Sequence, residues 1–180
     1  IYDNVGRLVQ TVVYATRVDT SGWLSGSVVT KSALVFASTS PALIAAQAWV
    51  PTDATRDMVT QKTYDAAGRV STETVVGAYA TQSLTTSYTY DAAGRLVQVS
   101  MNDGTGLAER ERKARYLYDK VDRKIAEIQI VGEAGYVTEY VYDTSGRVVK
   151  KIQYENACTN LNSDELAVLR PPASYFKDIV

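Results

Sequence analysis

The 180-residue sequence has no histidine and one cysteine, Cys158. Without histidine it lacks the usual general base at neutral pH and the commonest metal ligand. With a single cysteine it forms no internal disulfide and no cysteine metal cluster. A Cys–His nucleophile pair is excluded within the chain, so Cys158 reads as a buried or incidental side chain. No charge sign dominates: 19 Lys+Arg face 20 Asp+Glu, for a net charge of −1. That argues against a nucleic-acid binder held by bulk positive charge. No apolar run reaches the roughly 18 residues of a membrane-spanning helix, and no basic segment followed by an apolar one opens the chain. The short turn Gly104-Thr105-Gly106 lacks the helix that a phosphate-binding loop needs. Nothing singles out two of the twenty carboxylates as a glycosidase pair. The expectation is therefore no enzyme, no cofactor, no metal site, no nucleic-acid partner and no membrane span.

What the chain does have is tyrosine: 13 of its 17 aromatic residues. The reason is a repeat. Tyr-Asp occurs five times, at Tyr2-Asp3, Tyr64-Asp65, Tyr90-Asp91, Tyr118-Asp119 and Tyr142-Asp143. Arginine stands five residues after each tyrosine, as Arg7, Arg69, Arg95, Arg123 and Arg147. Glycine precedes that arginine as Gly6, Gly68, Gly94 and Gly146, and Asp122 takes its place in one copy. The spacings between copies are 62, 26, 28 and 24 residues.

Asp-x-x-Gly is a type I turn signature. The Asp carboxylate accepts a backbone N–H two residues on and pins the turn. Glycine supplies the positive φ that returns the chain into the next strand, which makes a three-to-five-residue hairpin loop with a bulge. Asp122 is a mild exception, because Asp tolerates the left-handed region better than most residues. The flanks read as strands. Tyr88/Tyr90, Tyr116/Tyr118 and Tyr140/Tyr142 recur at period 2 before the turns, and β-branched runs follow them. Turn signals at Gly77-Ala78, Asn102-Asp103-Gly104 and Gly132-Glu133-Ala134-Gly135 mark the other hairpin ends. Each unit is then two strands of about 7–9 residues joined as a meander.

The repeat turns fall near 2–10, 64–73, 90–99, 118–127 and 142–151. Residues 15–63 read as an insertion that carries a helix over about 41–49, opened by Ser40-Pro41 and closed by Pro51. Trp49, on that apolar helical run, is expected to pack against the sheet, and Trp23, which follows a Ser-Gly turn, is expected to be exposed for partner contact. The C-terminal segment echoes this plan, with Val148–Tyr154 resembling Val9–Tyr14. Asn162/Ser163 then cap a short helix over Asp164–Leu169 that Pro171-Pro172 ends. The charged run Glu109-Arg110-Glu111-Arg112-Lys113 reads as a solvated strand edge.

The motifs YDNVGRLVQ at 2–10, YDAAGRV at 64–70, YDAAGRLVQ at 90–98 and YDTSGRVV at 142–149 resemble the YD repeat of the Rhs-repeat family. YDKVDRKI at 118–125 departs only by its missing glycine, and the resemblance covers residues 1–154. It implies a long β-sheet that spirals into a hollow shell, as in bacterial Rhs toxins, the C component of insecticidal toxin complexes, wall-associated proteins and teneurins. The paired aspartates of the family's autoproteolytic segment have no match here. The chain also opens inside a motif, so the reading is a single fragment, 1–180, of a longer array. The fold class expected is mainly β: a repeat-built antiparallel curved sheet, part of a shell wall, with one or two short helices in insertions.

Regular repetition points to structure, because a catalytic site is normally used once. The Asp–Arg sets are expected to hold turns, with Arg lying over Tyr rings or pairing with carboxylates on neighbouring hairpins. The resemblance implies a secreted or cell-surface shell whose partners are the rest of the parent shell and an enclosed, toxic cargo polypeptide. The alternative is a surface module that presents its Tyr and Arg rows to carbohydrate or a receptor. A cut sheet edge would also invite edge-to-edge pairing of the fragment with itself.

Overall fold

The structure is a computed structural model and describes residues 1–15, 24–25, 28–29, 56–77, 83–107, 110–158 and 160–171. The helix expected over 41–49 and both tryptophans lie outside the described residues, as do Ala78, Glu109 and Pro172. The chain divides into two compact units, Ile1–Leu84 and Thr85–Val180.

In the first unit, strands β1 (Gln10–Val13), β4 (Met58–Tyr64) and β5 (Val70–Val76) pair antiparallel in that order. Gln10 faces Gln61, and Val59 faces Val76. A separate two-stranded ribbon joins β2 (Leu24–Ser25) to β3 (Val28–Val29). β4 occupies the C-terminal end of the segment read from sequence as an insertion.

The second unit is an antiparallel meander of β6 (Ser83–Tyr90), β7 (Leu96–Asn102), β8 (Arg112–Tyr118), β9 (Lys124–Val131), β10 (Ala134–Tyr142) and β11 (Val148–Gln153). The protein is mainly β, because short β-branched and tyrosine-rich runs alternate with turn residues that no helix accommodates. Four register shifts fall at Thr63/Tyr64, Thr89/Tyr90, Leu117/Tyr118 and Val141/Tyr142. Each stands immediately before a Tyr-Asp turn, where one extra residue on the far strand makes a bulge.

Among the described residues the hydrophobic core lies in the second unit. Leu117, Ala126, Ile128, Ile130 and Val137 are buried on one face of β8, β9 and β10. A strap that includes Cys158 and residues 160–170 covers that face with Cys158, Leu161, Leu166 and Leu169. The strap begins as a bridge to β10: Gly135 N–H donates to the Cys158 carbonyl at 3.1 Å, and Cys158 N–H to that of Gly135 at 2.7 Å. Burial raises the Cys158 thiol pKa above its ordinary value, the environment of an inert structural cysteine.

Three local expectations are corrected. Gly132-Glu133 alone makes the β9–β10 turn, with Val131 paired to Ala134. Gly132 has φ of 60°, as the first central residue of a type II′ turn requires. Gly135 is instead a buried strand residue, and a Cβ there would overlap Leu161 and meet Cys158 Sγ at 2.9 Å. The helix expected over Asp164–Leu169 is only Leu166–Leu169, α1. The Ser163 hydroxyl accepts from Glu165 N–H at 3.1 Å and holds the approach in a turn instead of capping the helix. Finally, Arg112 and Lys113 lie in no edge: β8 pairs with β7 on one side and β9 on the other. Within the run, Lys113 pairs with Glu111 at 3.0 Å and Arg110 with Asp103 at 3.3 Å.

Candidate functional site

The five Tyr-Asp turns share one geometry. In each, the Asp N–H donates to the carbonyl of the motif Arg (2.8–3.0 Å), and the residue at the Gly position donates back to the Asp carbonyl (3.0–3.2 Å). Gly6, Gly68, Gly94 and Gly146 have φ between 78° and 86°, and Asp122 takes 65° at the equivalent place. The Asp side chain then divides its oxygens. Oδ1 accepts from the Arg backbone N–H at 2.8, 2.9, 2.9, 3.0 and 2.9 Å in chain order. Oδ2 accepts from Arg Nε at 2.8, 2.7, 2.7, 2.7 and 2.8 Å. Each carboxylate pKa is held below its ordinary value, first by the Arg backbone N–H.

The clamp fixes the guanidinium as a flat plate, and the plate meets the next motif. Arg7 lies over the Tyr64 ring at 4.7 Å, Arg95 over Tyr118 at 5.0 Å and Arg123 over Tyr142 at 4.8 Å, all within cation–π range. The tyrosine hydroxyls close the link. Tyr64 donates to the Leu8 carbonyl at 2.7 Å, Tyr118 to Leu96 at 2.9 Å and Tyr142 to Lys124 at 2.7 Å. Each acceptor follows the motif Arg that its ring covers. Asp clamps turn and Arg, Arg stacks on the next Tyr, and that Tyr bonds back beside the Arg. Arg95 adds a bond to Asp122 at 2.8 Å, across to the neighbouring turn.

Two other polar clusters pin the strap. Glu139 on β10, buried, accepts from Arg170 Nε at 2.9 Å, Arg170 Nη2 at 2.6 Å and the Tyr154 hydroxyl at 2.9 Å. Arg170 is the main cause that holds the Glu139 carboxyl below its ordinary value. Arg115 on β8 donates to the Leu161 and Ser163 carbonyls and to Asp164. Reading the sequence as repeats missed both clusters. The available signal was the alternation Gly135, Val137, Glu139, which marks these three as one face of β10.

Beside the strap a pocket of about 390 Å³ opens over Thr89, Asp91, Arg95, Gln98, Arg115 and Asp164. Its two guanidinium groups are already engaged, Arg95 by Asp91 and Asp122 and Arg115 by the strap. On the opposite face, Lys124 stands between the Tyr116 and Tyr140 rings at 5.3 and 5.0 Å and bonds Glu127 at 2.8 Å. Among the described residues no three His, Cys, Asp or Glu side chains come close enough to hold a metal ion. No helix among them is long and apolar enough to cross a membrane.

Hairpins riveted at one rim by an Asp–Arg–Tyr relay define a YD-repeat sheet. Residues 44–163, two-thirds of the chain, match the family model described as the teneurin YD-shell. The chain belongs to the teneurin YD-shell family and is a shell-type structural module. No curated protein sequence matches it.

Proposed function

We propose that this chain is a wall segment of a secreted or cell-surface shell that encloses a toxic cargo polypeptide and helps deliver it. The mechanism is steric: the wall separates an unfolded or dangerous chain from solvent and proteases, and no residue acts as a catalyst. The observation that carries this reading is the repeated relay. The ionic groups of each Asp–Arg pair hold the turn, and those of Arg7, Arg95 and Arg123 also receive the next hairpin, which suits a wall. The partners are the remainder of the parent shell and the cargo. Family membership supports an extracellular or cell-surface setting.

The test is native proteolysis of the parent protein, with the surviving segments identified by mass spectrometry. A sequence outside the repeats that survives, and is lost once the repeats are denatured, supports enclosure. Trimming of everything except the repeats overturns it. That second outcome favours a surface module for carbohydrate or a receptor, for which the pocket beside Gln98, Arg115 and Tyr116 is the first place to look.

A further inference from the structure

The pocket beside the strap lies within the second unit, over Thr89, Gln98 and Arg115, on the row that also carries Ile128 and Val137 under the strap. Two charge pairs line it, and they are built differently. Asp91 and Arg95 belong to a turn clamp: Asp91 Oδ1 holds the Arg95 backbone N–H, Oδ2 holds its Nε, and Arg95 also bonds Asp122. Arg115 and Asp164 are a looser pair. The Arg115 side chain is 16% exposed, and its Nη1 donates to the Leu161 and Ser163 carbonyls of the strap. The Asp164 side chain is 89% exposed, and among the described residues it accepts from Arg115 Nη2 alone. An exposed carboxylate gives up such a bond at little cost, because water takes its place. A guanidinium this far from water needs another acceptor when the carboxylate leaves. Nearby, Gln98 donates its amide to Ser100 at 3.2 Å, which leaves its carbonyl oxygen for another partner, and Thr89 adds a hydroxyl.

A volume of about 390 Å³ is at the small end for ligand pockets and calls for a compact ligand. Charge narrows the choice. Two arginines and two aspartates line the pocket and balance. A simple anion meets two carboxylates there, and a simple cation meets two guanidinium groups. A small molecule that carries both signs finds a partner for each. We propose that this pocket binds a free α-amino acid. The ligand carboxylate replaces Asp164 on Arg115, as a charge-assisted bond to a guanidinium that the strap already orients. The released Asp164 carboxylate accepts from the ligand ammonium, and the Gln98 carbonyl oxygen and Thr89 hydroxyl serve its remaining polar atoms. One ion pair is exchanged for two, and the pocket stays neutral. The strap therefore does more than close the core: Leu161 and Ser163 orient the cation, and Asp164 supplies the anion. The proposal holds whether or not the parent shell encloses a cargo.

The test titrates the whole 180-residue chain, labelled with nitrogen-15, with three probes of nearly equal size: L-alanine, propionate and ethylamine. L-alanine should give saturable amide shifts centred on Gln98, Arg115 and Asp164. Propionate lacks the ammonium and should bind about three- to fivefold more weakly, the scale of an exposed ion pair. Ethylamine lacks the carboxylate and should bind about tenfold more weakly, the scale of a hydrogen bond to a charged group. Asp164→Asn keeps an acceptor for Arg115 but removes the negative charge, and its exposed side chain makes misfolding no concern. In that variant L-alanine and propionate should bind within about twofold of each other. No saturable shift with L-alanine, or shifts confined to other strands, overturns the proposal. So does propionate or ethylamine binding as tightly as L-alanine. A preference for L-alanine over propionate that survives Asp164→Asn also overturns it.

Discussion

In the second unit, β6 and β7 present one face and β9 and β10 continue it, yet the two regions are built oppositely. The rows can be followed across the strands. Thr89, Gln98, Arg115, Ile128 and Val137 form one, and Ser87, Ser100, Lys113, Ile130 and Gly135 the next. At β6 and β7 the face carries hydroxyls and an amide. At β9 and β10 it carries aliphatic side chains, and there the strap lies over it. The turns are the same in both regions, so the motif does not decide what a strand buries. It fixes hairpin and register, and leaves each face free to be wet or dry. A one-residue slip would exchange the faces, and the bulge before each motif tyrosine helps to prevent it.

Truncation along one row is the sharpest way to break this contrast. Ile128→Ala should cost about 2–5 kcal/mol, as cavities under a closed lid do. Gln98→Ala, two strands away on the same row, should stay within about 0.5 kcal/mol. Urea unfolding followed by circular dichroism measures both. Equal effects would mean that the strap is not the source of the core. Gly135→Ala tests the same lid from the other side. Its Cβ would drive against Leu161 and Cys158, and overpacking of this kind costs about 1–3 kcal/mol.

The Glu139–Arg170 pair comes next. Arg170→Ala leaves a buried carboxylate with only the Tyr154 hydroxyl, and a buried acceptor that loses a charged donor costs about 1–3 kcal/mol. The pH dependence has a definite sign. The folded-state pKa of Glu139 lies below its ordinary value of 4.5, so the folded state binds the proton less readily than the unfolded one. The stabilisation is fully present above about pH 4.5 and is lost as pH falls through the lowered value. Urea midpoints measured from pH 6 downward should therefore fall less steeply in Arg170→Ala than in the parent. A parallel fall in both would remove Glu139 from the account of acid sensitivity. The depressed turn aspartates contribute to acid loss with the same sign in both proteins.

These contacts also mark where sequence reasoning reaches and where it stops. The turns were legible because what they need lies within five residues, Asp to accept and Gly or Asp122 to take positive φ; that Arg closes a clamp on the Asp of its own turn was not, since its carboxylate partner was sought on neighbouring hairpins. That Arg would lie over a Tyr ring was legible as well, but its partner, the next motif's tyrosine, was not singled out. The strap was not legible. Glu139 and Arg170 are 31 residues apart, and Arg115 and Asp164 are 49, with no periodic relation to announce the pairing. Gly135 was misread for the opposite reason. Glycine is the commonest turn signal, and here it serves close approach. The charged run near Arg112 looked like an edge because charge is common on edges, whereas here the charges pair along their own strand and loop.

Tyr118→Phe should cost about 0.5–1.5 kcal/mol by removing the bond to the Leu96 carbonyl. The ring and its stacking on Arg95 remain, so a larger loss would mean that the hydroxyl holds more than one hairpin. The smallest effect belongs to Asp122, the one motif position without glycine. Two opposing terms meet there. Its φ of 65° strains a side chain by roughly 1 kcal/mol, which Asp122→Gly would relieve. The same change removes the bond from Arg95, and because the Asp122 side chain is 72% exposed that pair is worth about 0–1 kcal/mol. Glycine also adds freedom to the unfolded chain. The net change should lie within about 0.5 kcal/mol of zero. Asp122→Asn keeps the tolerance for positive φ and loses only the charge, so its cost isolates the Arg95 pairing. If Asn proves as costly as Arg170→Ala, the exposed bridge between turns holds the hairpins together as firmly as the buried latch on the strap.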